Sequence, residues 1–146
     1  MRIYLDNCCF NRPYDNQSYH TVRFETEAKL FIQDLIINEQ IELVWSFILD
    51  FENSANPYEV RKESINEWAS VSNVDINPTE TIMDSAKEIE ISFGIKPKDS
   101  LHIACAIDAR SEYFLTTDKI LIKKSGQLKE IKVINPLEFV RLWEEK

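Results

Sequence analysis

The stretch Lys96–Lys119, KPKDSLHIACAIDARSEYFLTTDK, decides how this chain folds. It opens with Pro97 and Asp99, and the helix starts on that acid. From there to Asp108 the segment is apolar on almost every face, the pattern of a helix inside a core. Tyr113–Thr116 reads as a short strand, with Asp118 just beyond it. At about 100° per residue the nearest angular neighbours of Asp99 are Ile103 and Ala106, so a carboxylate heads an apolar stripe. A charge placed there needs compensation, because an unpaired buried carboxylate costs several kcal/mol, in order of magnitude.

The flanking sequence completes an alternating pattern. Arg2–Asp6 (RIYLD) and Ile41–Trp45 (IELVW) are strand-like, Val74–Ile76 is a weaker extended piece, and Ile131–Ile134 (IKVI) is a last strand. Helices are expected over Ser18–Asn38, from a Ser46 cap to about Ala55, over Val60–Val71, over Thr79–Phe93 with Gly94 as its stop, over Ile120–Lys124, and from Pro136 through Trp143. Asn7–Gln17, with Asn11, Arg12, Pro13 and Asp15, reads as a polar loop. This order indicates an α/β domain with a mostly parallel sheet. No linker, repeat or low-complexity tract divides residues 1–146, so one domain is expected.

Composition narrows the function classes. No apolar run approaches a membrane span, and MRIYLDNCC enters a strand directly, without the apolar core of a signal peptide. The expected address is the cytoplasm. Cys8 and Cys9 are adjacent, and with Cys105 make three cysteines in no zinc-binding spacing; all read as reduced thiols. Two glycines in the whole chain leave no room for a phosphate-cradling glycine-rich loop, which removes dinucleotide and P-loop readings. The net charge of −8 works against broad nucleic-acid binding, so a nucleic-acid substrate would have to meet a local basic strip, a metal, or both.

In a parallel α/β sheet ligands bind at the carboxyl ends of the strands. Asp6 and Asp118 fall at two such ends, and Asp99 starts a helix whose N-terminus belongs at the same edge if it packs antiparallel to the strands. The helix after the second strand offers Asp50 and Glu52. Asp50 shares a polar face with Ser46, Asn53 and Ser54, whereas Glu52 lies at the border of the apolar stripe of Phe47, Ile48, Phe51 and Ala55, and is the one chosen. Each acid has an ordinary explanation alone: a turn cap for Asp6, a helix-dipole acid for Asp99, a loop acid for Asp118 and a surface acid for Glu52. Together, Asp6, Glu52, Asp99 and Asp118 map to one edge of one sheet. Carboxylates ~4 Å apart repel by about 4 kcal/mol at an effective dielectric near 20, so four need a cation. Hard oxygen donors favour Mg²⁺ or Mn²⁺, which suits phosphodiester hydrolysis. His102, one turn from Asp99, reads as a core histidine first and a supporting group second. Arg12 and Asn11 are candidate phosphate contacts that loop structure explains equally well, and Lys119, Lys123, Lys124 and Lys129 are a candidate basic strip.

IYLDNCC with Asp6, SFILDFE with Glu52, KDSLHIACAI with Asp99 and YFLTTDK with Asp118 together resemble the PIN-domain family over nearly the whole chain. The resemblance implies a three-layer α/β/α sandwich with a central, mostly parallel sheet. It also implies Mg²⁺- or Mn²⁺-dependent cleavage of phosphodiester bonds, usually in RNA, with the four acids as catalytic and metal-holding residues. Many small members resemble VapC-like toxins of type II toxin–antitoxin pairs, held inactive by an antitoxin, and dimers are common among them. The chain departs from some members in carrying Ile120 where they have a further acid. That residue and the acidic composition motivate a reading from a different class, a PIN-like protein- or RNA-interaction module with little or no catalysis. A haloacid-dehalogenase-like phosphatase would need an acid where Cys8 stands.

Overall fold

A computed structural model describes residues 1–146. Five strands, β1 (Arg2–Leu5), β2 (Glu42–Ser46), β3 (Val74–Ile76), β4 (Tyr113–Leu115) and β5 (Lys132–Ile134), form one sheet in the order β3-β2-β1-β4-β5. Every pairing is parallel, with Tyr4 opposite Val44 and Leu5 opposite Leu115. Parallel strands are covered on both faces, so they carry apolar runs rather than alternation: Ile3, Tyr4, Leu5, Leu43, Val44 and Trp45 are all fully buried.

Eight helices connect the strands: α1 (Asn7–Asn11), α2 (His20–Ile37), α3 (Phe47–Ser54), α4 (Glu59–Val71), α5 (Glu80–Phe93), α6 (Pro97–Asp108), α7 (Lys119–Lys124) and α8 (Pro136–Glu144). The chain first steps outward from β1 to β3 and then returns to β4 on the other side of β1. Right-handed crossovers therefore put α2 and α4 on one face and α5 and α6 on the other, giving the three-layer α/β/α sandwich. α8 returns against α2, and α5 packs along α6. As the sequence indicates, α6 is a core helix: Ser100 and His102–Ala106 are buried.

Local chemistry sets the boundaries. The side chains of Ser46 and Thr79 cap α3 and α5 by accepting from Leu49 and Ile82 N–H. Gly94 ends α5 at φ 64, a conformation glycine reaches without strain. Asn7–Gln17 departs from its reading as a loop. It contains α1, capped by Asp6, then a 3-10 turn at Arg12–Tyr14. Five residues are too few to show a helical period, and the turn-forming Asn and Pro masked the helix. α1 takes hold because Cys9 and Phe10 are buried under it.

Candidate metal and nuclease centre

Reversal of strand order between β1 and β4 opens a crevice at their carboxyl ends, the usual place for a ligand in such sheets. Asp6 leaves β1 there. Its backbone N–H continues the ladder to the Leu115 carbonyl at 2.9 Å. Oδ1 accepts the Asn7 N–H at 2.8 Å, and Oδ2 accepts the Thr116 hydroxyl at 2.8 Å. Asp118 caps α7, accepting from Ile120 and Leu121 N–H at 3.0 and 3.1 Å, while its own N–H donates to Thr116 Oγ1 at 3.1 Å.

Glu52, on the last turn and a half of α3, meets the Nε2 of His102. That nitrogen also lies 3.9 Å from Asp6 Oδ1. One ligand atom each from Asp6, Glu52 and His102 falls within a sphere where all separations are below 4.8 Å. Asp50, the alternative acid on α3, is occupied elsewhere, accepting the indole N–H of Trp45 at 2.7 Å.

Asp99 occupies the first turn of α6, and its carboxyl is pushed above the ordinary aspartate range. Burial is the main cause; the negative charges of Asp6, Asp118 and Glu52 add to it, and His102 partly offsets them. The other three sequence-selected acids thus lie within electrostatic reach of Asp99. They are not equivalent, however. Asp6 and Glu52 sit tightly around His102, whereas Asp99 and Asp118 face a neighbouring cavity of about 170 Å³, lined also by Ile95, Lys96, Ile120, Leu121 and Lys124. None of the four carboxylates makes an ion pair with a lysine or arginine. A separate cavity of about 380 Å³ between α2 and α4 contains none of them.

Two of the sequence-level phosphate candidates are already engaged. Arg12 is held by Glu25 at 2.6 and 2.9 Å and by Asp15 at 3.1 Å. Asn11 bonds back to Asn7, as a helix-end side chain does. Tyr4 escapes sequence reasoning altogether. It looks like a strand residue, but a fully buried phenol needs a partner for its hydroxyl, and it has two, Ser46 Oγ and His102 Nδ1, each at 2.6 Å. Cys8 is also drawn in, with Sγ 3.4 Å from Thr116 Oγ1 and 3.5 Å from Asp6 Oδ2.

An all-parallel α/β sandwich with carboxylates gathered at its switch point defines an acidic-centre α/β protein. The family is specific: the PIN domain model matches residues 3–127, and the chain belongs to that family. Solved structures similar in fold include VapBC-1 from nontypeable Haemophilus influenzae, at 16% identity and TM-score 0.62, covering 93% of this chain and 98% of that chain. FitAcB from Neisseria gonorrhoeae gives 18% identity and TM-score 0.60, covering 92% and 97%. VapBC2 from Rickettsia felis, solved bound to a DNA fragment from their promoter, gives 15% identity and TM-score 0.58, covering 92% and 98%. At these identities the likeness is one of fold. Comparison with curated proteins gives no match. No helix is long and apolar enough to cross a membrane.

Proposed function

We propose that this PIN-domain protein is a divalent-cation-dependent endoribonuclease, with Asp6, Glu52, Asp99 and Asp118 as its catalytic acids. The observation that carries the reading is the convergence of the four acids at one edge of the sheet, Asp6 and Glu52 around His102 and Asp99 with Asp118 on the adjoining cavity. Four carboxylates from four segments act on one another at a strand-order switch point, and no lysine or arginine neutralises any of them. The donor set fits a hard cation, Mg²⁺ or Mn²⁺, because it is built of carboxylate oxygens. Asp6, Asp99 and Asp118 would hold it, and Glu52 would complete the shell or orient the attacking water. When bound, such a cation supplies Lewis acidity toward phosphodiester oxygens and a more acidic water. Thr116 keeps Asp6 and Asp118 aligned through its single hydroxyl.

RNA as substrate draws support from what surrounds the acids. Phe51 precedes Glu52 and is 59% exposed, and the Lys98 ammonium lies 5.3 Å from its ring centre, one residue before Asp99. An exposed aromatic face beside a cation suits an unpaired base and its phosphate. Lys96 and Lys124 line the Asp99–Asp118 cavity and give the local positive charge that a −8 chain otherwise lacks. The fold neighbours, which include a toxin–antitoxin complex from Klebsiella pneumoniae, support a toxin role in a type II pair with an antitoxin partner; action in the cytoplasm and a homodimer in solution complete the proposal.

The test is cleavage of RNA by purified protein with Mn²⁺ or Mg²⁺, stopped by EDTA and lost in Asp6→Asn and Asp99→Asn. Cleavage by both variants at the parent rate would sink the site assignment. A noncatalytic interaction module is the second reading, favoured by exposed Ile120 beside Asp118. Calorimetry separates the two, since a module has no need to bind millimolar Mn²⁺.

A further inference from the structure

The imidazole of His102 has a carboxylate against one nitrogen and a hydroxyl against the other. Glu52 meets Nε2, and Asp6 Oδ1 stands 3.9 Å from the same atom. Tyr4 Oη stands 2.6 Å from Nδ1. Ionised carboxylates only accept hydrogen bonds, so the nitrogen that faces them must be the one carrying hydrogen. The hydroxyl on the other side can donate, and Nδ1 accepts from it.

The donors continue in one direction. Ser46 Oγ, 2.6 Å from Tyr4 Oη, accepts the Leu49 N–H at 3.3 Å and has its own hydrogen for the phenol. The sequence is Leu49 N–H to Ser46, Ser46 to Tyr4, Tyr4 to His102 Nδ1, and His102 Nε2–H to Glu52. It closes on itself, because Ser46 and Leu49 form the first turn of α3, the helix that bears Glu52. Tyr4, Ser46 and His102 are each no more than 1% exposed, so water cannot replace a missing member. Ring packing fixes the imidazole further, edge-on to Tyr4 at 71° and to Phe114 at 64°.

We infer that His102 is a positioning residue that holds Glu52 through an Nε2–H hydrogen bond, with Tyr4 and Ser46 fixing the tautomer, and that it is not a metal ligand. His102 falls in the cluster of potential ligands by distance alone. A nitrogen whose lone pair is replaced by a hydrogen cannot bind a cation, so the ligand set of the centre is oxygen only. Carboxylates at metal centres are commonly held by outer hydrogen-bond partners, and removing such a support costs about 10- to 100-fold in metal affinity or activity. The inference rests on the nuclease reading for what Glu52 does once held; the tautomer does not.

The test is ¹⁵N-histidine NMR on the full-length protein, with His20→Asn, an exposed substitution, used to isolate the His102 signals. The expected result is a protonated Nε2 and an unprotonated Nδ1 in metal-free protein, unchanged at saturating Mg²⁺. A bare Nε2 in the metal-free protein, or loss of its hydrogen when Mg²⁺ binds, overturns the inference. Kinetics give an independent check. His102→Leu should lower kcat for RNA cleavage about 10- to 100-fold with KM within about threefold, and His102→Gln, which keeps a donor, should recover most of it. Equal loss in both variants overturns the positioning role. A protein that shows no Mg²⁺ response anywhere overturns the cation reading of the centre, and the metal-free tautomer then decides for or against His102 by itself.

Discussion

Asp6 and Asp118, 112 positions apart in sequence, share one hydroxyl: Thr116 Oγ1 donates to the Asp6 carboxylate at 2.8 Å and accepts the Asp118 backbone N–H at 3.1 Å. Thr116 is completely buried. The Asp6 carboxylate and the Asp118 backbone are therefore tied through a single side chain, while the Asp118 carboxylate itself is held by the Ile120 and Leu121 N–H groups.

Replacing Thr116 with valine keeps the shape and removes that joint. The buried Asp6 carboxylate and the part-buried Asp118 N–H lose a partner, at a cost of about 1–3 kcal/mol where the group is left unmet away from water. Thr116→Val should lower the unfolding free energy by at least ~1 kcal/mol and weaken Mn²⁺ binding about 10-fold or more by calorimetry. Thr116→Ser, which retains the hydroxyl, should behave nearly as the parent. Loss of affinity in the serine variant equal to that in the valine variant would contradict the shared-hydroxyl account.

Glu52 and Asp50 offer a direct comparison, since they lie two residues apart on α3 and do different work. Asp50 holds the Trp45 indole N–H at 2.7 Å, and Trp45 is fully buried. Asp50→Ala should cost about 1–3 kcal/mol of stability through the unpaired indole and leave cleavage close to the parent at temperatures well below melting. Glu52→Gln should leave melting within about 1 kcal/mol and reduce cleavage at least about 100-fold, the scale of losing an activated-water or charge-stabilising group. Thermal melts and RNA cleavage on the same preparations check both.

That pair also shows how much the sequence could say. Helical angle alone separated Glu52, at the edge of an apolar stripe, from Asp50, on a polar face. Strand ends and the Asp99 helix were readable because parallel sheets put apolar runs and following acids in a fixed relation. Tyr4 and Ser46 were legible only as a strand residue and a cap, and His102 as a core histidine first and a supporting group second. Their connection spans 42 and 98 positions, and nothing local in the sequence encodes it. Arg12 stayed open between two readings for the same reason: its partner Glu25 lies 13 residues on, in a different helix, and its guanidinium is already matched. Periodicity reports which face a residue takes; it does not report which polar groups meet across the core.

Phe51 tests the substrate. An exposed ring in stacking range of an unpaired base contributes about 1–3 kcal/mol on alanine substitution. Phe51→Ala should raise KM for RNA about 5- to 100-fold while Mn²⁺ affinity stays unchanged, because a phenyl ring offers a hard cation no ligand. Filter binding of a short single-stranded RNA in Ca²⁺, which supports no turnover in the expected case, reads the effect separately from cleavage. Unchanged RNA affinity would remove Phe51 from the binding path.

Lys29 gives a pH dependence with a definite sign. It is 4% exposed, with its ammonium 5.5 Å from the Phe10 ring centre and 5.6 Å from that of Trp68, and burial lowers its pKa from 10.5 to about 8. The unfolded chain therefore binds more protons between pH 8 and 10.5, and stability from this group rises with pH through that window. Below about pH 8 the charged lysine is a net cost. Lys29→Met should stabilise the protein at pH 7 by about 1–3 kcal/mol, less what the two ring contacts contribute. The difference from the parent should shrink as pH passes from 8 toward 10.5, as denaturant melts across that range will read.

Asp99 distinguishes the cation reading from a merely structural acid cluster, because the two give opposite orders of stability. In metal-free protein its carboxyl is raised by burial first and then by Asp6, Asp118 and Glu52, so its ionised form is disfavoured in the fold. For a raised acid the folded state holds more protons, and stability falls as pH rises through its folded pKa. Asp99→Asn removes that charge and should melt higher than the parent at pH 7 in EDTA. Adding Mn²⁺ should reverse the order. A cation at 100 times its Kd stabilises the parent by about 2.7 kcal/mol, and the asparagine variant, with one ligand neutralised, should gain a fraction of that. Differential scanning fluorimetry with and without Mn²⁺ measures both halves. If the parent stays below Asp99→Asn at every Mn²⁺ concentration, the carboxylates do not share a cation, and the nuclease centre proposed for this fold loses its basis.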